Sequence, residues 1–153
     1  MNDLAQIFSN KVLLASVTSW MLSQTLKVII SIIFTRRIDF RRFVGSGGMP
    51  SGHSASMMAL SVSVGLNEGW SSALFAVTFS VALVIMYDAA GIRRAAGRQA
   101  VALNRIVEHL TAGTKEQRKK LVPEDLKELL GHTPLQVMAG AALGITIALL
   151  FGA

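Results

Sequence analysis

Four apolar stretches separated by polar connections dominate the chain, at residues 12–34, 54–66, 71–87 and 135–151. A transmembrane helix needs about 20 predominantly apolar residues. The first stretch meets that length, the third and fourth are slightly shorter, and the second is marginal. The pattern predicts four transmembrane helices. Three such helices with a re-entrant second segment are the alternative.

The long connection before the last apolar stretch also has a helical pattern. Between residues 88 and 110 apolar positions recur at steps of three and four, as in an amphipathic helix. This helix either continues the third span out of the membrane or bends along the interface. Pro123 and the acids after it predict a second, short helix at 123–130, which Gly131 ends. We therefore expect one all-α membrane domain, residues 1–153, with a helical insertion at about 89–131.

Composition supports a membrane protein. Hydrophobic residues make up 52% of the 153 residues, and the mean hydropathy is +0.50, above the usual values for soluble proteins. The chain has no cysteine, which excludes disulfides, thiolate metal sites and cysteine nucleophiles. Its net charge of +6 does not predict a nucleic-acid partner, because the basic cluster at 115–120 is interrupted by an acid and few aromatic residues lie near it.

The distribution of charge predicts the topology. Residues 36–42 contain four arginines and one aspartate, and residues 88–132 contain nine basic and six acidic residues. If all four stretches cross the membrane, both connections lie on one side, which the positive-inside rule makes cytoplasmic. We expect an integral protein of the cell (inner) membrane with both termini outside.

The stretch GSGGMPSGHSAS at residues 45–56 precedes the second apolar segment. Glycines allow close backbone approach to a ligand, and the free amides of a helix N-terminus attract anions. Ser51 is a suitable N-cap, and His53 then lies in the first helical turn. The alternative is a glycine-rich turn with a capping serine and an interfacial histidine. Local chemistry leaves both interpretations open.

Other polar residues are predicted at the same membrane face. Lys27 lies within the first apolar segment, where a charge usually faces the bundle interior, with snorkelling to the surface as the alternative. Arg93 and Arg94 follow Asp88 at the end of the third segment, where they could also serve as membrane anchors. His132 precedes the fourth, where it could simply cap a helix. Together these residue types are typical of a site that holds and transfers a phosphate.

Four blocks occur in a recognisable order: GGMPSGHSA, VIMYDAAGIRRAAGRQA, LN and LKELLGHTPLQVMAG. The motif PSGH resembles the middle signature of the type-2 phosphatidic acid phosphatase superfamily, which includes the vanadium-dependent haloperoxidases. Taken together, the blocks resemble the divergent branch of that superfamily, a group of small membrane proteins. The resemblance extends from about residue 27 to residue 144.

The resemblance implies a membrane phosphatase or phosphotransferase that acts on a lipid phosphate or diphosphate without a metal or other cofactor. It makes His132 the nucleophile, through a phosphohistidine, and His53 the general acid. Residues at matching positions would hold the phosphate: Lys27, Arg37, Ser51, Gly52, and Arg93 or Arg94. The implied partner is an anionic or phosphorylated membrane lipid.

The chain departs from the superfamily pattern in its arginines. Phe34 stands where the first signature has arginine, and Arg36 and Arg37 follow without the usual proline. Arg94 precedes His132 by 38 residues, a much larger separation than in the third signature. The intervening insertion must therefore loop out of the site.

A third departure concerns the acid that orients the nucleophile. Gln136 stands at this position, four residues after His132. Glutamine can hold a histidine tautomer but cannot offset imidazolium charge, so Asp88 on a neighbouring helix is the candidate substitute. This departure favours a second hypothesis, a non-catalytic relative that keeps the pocket to bind phosphate or anionic lipid.

Gly140 and Gly144 give the last segment a small-xxx-small spacing. Such a spacing more often allows close packing within one bundle, and it also permits a homodimer.

Overall fold

The computed structural model describes residues 3–35, 48–110 and 131–152, and this part of the chain is all-α without strands. It contains six helices: α1 Asp3–Ser9, α2 Lys11–Thr35, α3 Gly52–Glu68, α4 Ala73–Ala90, α5 Ile92–Leu110 and α6 Pro134–Gly152. The four apolar stretches correspond to α2, α3, α4 and α6, and the amphipathic pattern corresponds to α5. The apolar pattern did not predict α1, which is seven residues long. The helix predicted at 123–130 lies outside the described residues.

The helices form a membrane bundle, which confirms the predicted fold class. Three helical segments of the described chain are long and apolar enough to cross a membrane: Lys11–Phe34, Ala73–Leu110, which joins α4 and α5, and Pro134–Gly152. The remaining bundle helix, α3, has 17 residues and is about 25 Å long at 1.5 Å per residue. Its length lies at the lower limit for a span.

α3 lies at the centre of the bundle. Ten of its 17 residues are buried, most of them alanine, serine, glycine or valine. α2, α4 and α6 pack around it and direct large apolar side chains outward, such as Val84 and Leu150, which are 68% and 69% exposed. The large outer side chains face the region that lipid would occupy. The small residues inside allow the helix backbones to approach one another closely.

Glycines set the contact between α3 and α6. A Cβ at Gly140 would strike the Ser51 carbonyl oxygen, and one at Gly144 would strike that of Ala55. At the far end, a Cβ at Gly152 would meet the side chain of Leu66. The two helices are therefore parallel and in contact along the full length of α3. The glycine spacing thus serves packing within the bundle.

The other two helices run antiparallel to α3. Ser16 of α2 donates to the Ser56 carbonyl oxygen at 3.1 Å, whereas Ser23, further along α2, lies beside Gly52 at the start of α3. Likewise Phe75, early in α4, lies beside Gly65, late in α3. The end of α2, the start of α3, the end of α4 and the start of α6 therefore lie at one end of the bundle.

Candidate functional site

The predicted N-cap of α3 is confirmed. Ser51 has an extended backbone, and its side chain accepts a hydrogen bond from the Ser54 amide at 3.4 Å. The Ser51 amide donates to the Gln136 carbonyl oxygen at 3.0 Å. Ser51 itself is fully buried. The PSGH turn is thus attached to the first turn of α6, and the N-termini of both helices lie side by side.

Lys27 lies inside the bundle at this end. It is only 4% exposed, and its Nζ donates to Gln24 Oε1 at 3.0 Å. Among the described residues no carboxylate lies within 4 Å of this ammonium group. Such burial argues against snorkelling, since a snorkelling lysine extends its charge into water. A lysine buried with one neutral partner is suited to receive an anion.

Two glycines bring the PSGH turn close to Lys27. Gly48 has a φ of +95°, a left-handed conformation that favours glycine, and a Cβ there would lie 3.6 Å from Lys27 Cγ. A Cβ on Gly52 would lie 3.0 Å from Ser23 Oγ and 3.2 Å from Gln24 Nε2. The start of α3 can therefore approach the turn of α2 that carries Lys27.

His132 is held by Gln136 and by α4. Its ring is buried, and its backbone amide donates to the Ala89 carbonyl oxygen at 3.1 Å. Gln136 Oε1 lies 3.2 Å from His132 Nδ1 and accepts a hydrogen bond from the Thr133 amide at 3.0 Å. In return, Thr133 Oγ1 accepts from the Gln136 amide at 3.3 Å. Thr133 and Gln136 thus form a capping box at the start of α6.

This capping box also selects the tautomer of His132. Because the Thr133 amide can only donate, the Gln136 atom that faces it must be the acceptor oxygen Oε1. The same oxygen faces Nδ1, so Nδ1 carries the proton in the neutral ring. The lone pair then lies on Nε2, the atom that a nucleophilic histidine would use.

The structure places several of the other predicted residues at the same end. His53 is exposed in the first turn of α3, and Asp88 is partly buried near the end of α4, next to Ala89. The backbone of Arg93 and Arg94 belongs to the first turn of α5, two and three residues beyond Gly91. The end of α4, which precedes these arginines, is hydrogen-bonded to His132 through the Ala89 carbonyl oxygen. Arg37 lies outside the described residues.

Sequence reasoning missed the polar face of α2. Ser16, Ser19, Ser23 and Ser31 are at most 8% exposed and share one helical face with Lys27. The signal was present, since these residues follow one another at three- and four-residue steps. The roles of Gln24 and Gly48 beside Lys27 had no such signal, because they depend on the contact between α2 and the PSGH turn.

This arrangement combines groups of the kind that bind oxyanions with an oriented histidine whose Nε2 is buried. A buried cation, a capped helix N-terminus and an oriented imidazole lie at one end of a membrane bundle. Helix N-termini and buried cations both stabilise negative charge. The fold defines an all-α membrane bundle with charged and polar groups gathered at one end.

Comparison with known proteins agrees with this class. The chain belongs to the Divergent PAP2 family, whose profile matches residues 8–147. It is 39% identical over 155 residues to the uncharacterized membrane protein YuiD of Bacillus subtilis (strain 168), an alignment that covers 94% of this chain and 95% of the relative. No solved structure matches the chain significantly.

Proposed function

We propose that the protein is a membrane phosphatase or phosphotransferase that acts on a lipid phosphate or diphosphate through a phosphohistidine. The observation that supports it most is Lys27, a buried ammonium group with one neutral hydrogen-bond partner among the described residues, next to the start of α3. A phosphate would supply the missing negative charge, and α3 would contribute the amides of its first turn.

The reaction has two steps. Nε2 of His132 attacks phosphorus, the bond to the leaving oxygen breaks, and His53 gives that oxygen a proton. Water, or an acceptor hydroxyl, then attacks phosphorus while His53 takes its proton, the bond between phosphorus and Nε2 breaks, and the phosphoryl group leaves on the attacking oxygen. Lys27 and the Gly52 amide stabilise the charge on the phosphoryl oxygens in both steps, with an arginine from Arg37, Arg93 or Arg94. The Ser51 amide, predicted as a second donor, is already bonded to the Gln136 carbonyl oxygen, so Ser51 contributes as the cap of α3.

Gln136 favours a second candidate function. Its hydrogen bond orients His132, but a neutral amide does not offset the imidazolium charge that develops as Nε2 bonds to phosphorus. Asp88 is the acid that could do so from the end of α4. Without it, the protein would bind phosphate or anionic lipid in the same pocket and not turn it over.

The site is proposed to face the cytoplasm across the cell membrane. Both basic connections, 36–47 and the segment between α4 and α6, leave the bundle at the end that holds Lys27 and His132. The positive-inside rule assigns that end to the cytoplasm. A lipid of the inner leaflet would then bring its phosphate to the site, and both termini would lie outside.

The test measures phosphate release from phosphatidic acid and from a lipid diphosphate by purified protein in proteoliposomes. His132→Ala should abolish turnover and acid-labile phosphate labelling of the protein, and His53→Ala should lower turnover about 10²–10⁴-fold. His109→Ala is the matched control, because His109 is exposed on α5 and has no role in the reaction. Wild-type turnover in either site variant would exclude the proposed roles.

A binding measurement separates the two candidates. Orthovanadate should bind the wild-type protein in both cases and bind Lys27→Met much more weakly. Binding without turnover of any lipid phosphate would support the non-catalytic function. Unchanged orthovanadate affinity in Lys27→Met would contradict both candidate functions.

A further inference from the structure

The amphipathic helix α5 exposes an apolar face that no described helix covers. Ile92, Leu103, Ile106 and Leu110 are between 49% and 72% exposed. At 100° per residue these four side chains lie within about 60° of one another around the helix. Leu103, Ile106 and Leu110 form an apolar stripe along the second half of α5, and Ile92 lies on the same side three turns earlier, with the exposed Gln99 between.

Basic residues lie on another side of the same helix. Arg98 and Arg105 are exposed and seven residues apart, so they project in nearly the same direction two turns apart. α5 therefore carries an apolar face on one side and two exposed arginines on another.

The connection to α4 fixes where this helix begins. Gly91 alone separates α4 from α5, and its amide donates to the Tyr87 carbonyl oxygen at 2.8 Å. The Ala95 amide in turn donates to the Gly91 carbonyl oxygen at 2.9 Å. With the apolar α4 as the membrane span, α5 begins at the membrane surface, on the level where the His132 amide meets the Ala89 carbonyl oxygen.

We propose that α5 lies in the headgroup region of the leaflet on which the candidate site opens. Its apolar face rests on the acyl chains, and Arg98 and Arg105 contact the headgroups of anionic lipids. A basic, strongly amphipathic helix joined to a membrane span has the composition of an interfacial helix. This placement does not depend on turnover and holds equally for a non-catalytic protein.

Single-cysteine labelling tests the placement, since the chain has no cysteine of its own. The environment-sensitive dye NBD is attached to Leu103→Cys or Ile106→Cys, with Glu108→Cys as the control on a different side of α5. In proteoliposomes that contain phosphatidylglycerol, the labels at 103 and 106 should emit at shorter wavelength, be quenched by doxyl lipid and resist iodide. The label at 108 should be quenched by iodide and resist doxyl lipid.

Two results would overturn the placement. Iodide quenching of the labels at 103 and 106 that equals quenching at 108 would put the face in water. Protection of the first two labels from both quenchers would mean that another part of the chain, or a second copy, covers the face.

A charge variant tests the choice of lipid. Arg105→Gln should weaken the partition of labelled α5 into phosphatidylglycerol vesicles several-fold. Lys11→Gln, which removes one exposed charge at the opposite end of the bundle, should have no effect. Equal doxyl quenching in phosphatidylcholine vesicles, unchanged by Arg105→Gln, would overturn the recognition of anionic lipid.

Discussion

A methyl group at Gly140 should damage both the bundle and the candidate site. The added Cβ would strike the Ser51 carbonyl oxygen and would also lie 3.0 Å from Ser54 Cβ. Ser51 caps α3 and is hydrogen-bonded to α6 through its amide. Gly140→Ala must therefore push the PSGH turn away from α6, whereas the same change at Gly152 meets only the flexible end of the Leu66 side chain.

The magnitude follows from two opposing terms. Overpacking against a rigid neighbour costs about 1–3 kcal/mol, and backbone atoms place Gly140→Ala in the upper half of that range. In a helix interior alanine gains about 1 kcal/mol of helix propensity over glycine, and the gain is smaller at Gly152, the last residue of α6. The difference between the two variants is then about 2 kcal/mol, or roughly 4–8 °C in Tm for a chain of this size.

The assay follows thermal unfolding in detergent by the fluorescence of the two tryptophans, together with orthovanadate affinity. Gly144→Ala separates the two effects, because its Cβ would strike Ala55 one turn deeper and leave Ser51 in place. We expect Gly140→Ala and Gly144→Ala both to lower the Tm, and Gly140→Ala to reduce the orthovanadate affinity more than Gly144→Ala does. If Gly140→Ala matched Gly152→Ala in Tm and affinity, the α3–α6 contact would not position the site.

Three further predictions concern other contacts. Gln136→Ala should lower the free energy of unfolding by about 0.5–2 kcal/mol through loss of the capping box. Gln136→Glu should keep the capping box and raise any turnover by offsetting charge on His132, and equal stability of the two variants would refute the role of Gln136 in capping. Ser16→Ala should lower the free energy of unfolding by about 0.6 kcal/mol, because it removes the interhelical hydrogen bond to Ser56. Thr25→Ala removes a hydrogen bond within α2 on an exposed face and should lower the free energy of unfolding by less in the same assay. A reporter at the C-terminus should be active only outside the cytoplasm; cytoplasmic activity would contradict four crossings.

Much of the fold was predictable because the signals are local. Apolar runs of sufficient length predict helices in lipid, and the 3.6-residue period of 92–110 predicts α5. Ser51 as the N-cap of α3 also followed from residue type and position. Thr133 followed three residues later by Gln136 has the spacing of a capping box, but Gln136 was interpreted only as the replacement of the superfamily's acid.

The site was less predictable because its contacts join distant segments. Lys27 was recognised as a charge within an apolar helix, but Gln24 and Gly48 as its neighbours depend on how α2 meets the PSGH turn. The 38 residues between Arg94 and His132 predicted an insertion that loops out, but the hydrogen bond that joins the end of α4 to His132 depends on how the two segments pack.

The amino-acid sequence by itself determined that this chain is an all-α membrane protein of the Divergent PAP2 family, because hydropathy, helical period and ordered motifs are properties of neighbouring residues. Only the tertiary structure decided that α3 crosses the bundle in parallel with α6 and that Gln136 fixes the proton of His132 on Nδ1. Both features depend on packing, since the distance between two helices is set by the small residues at their contact.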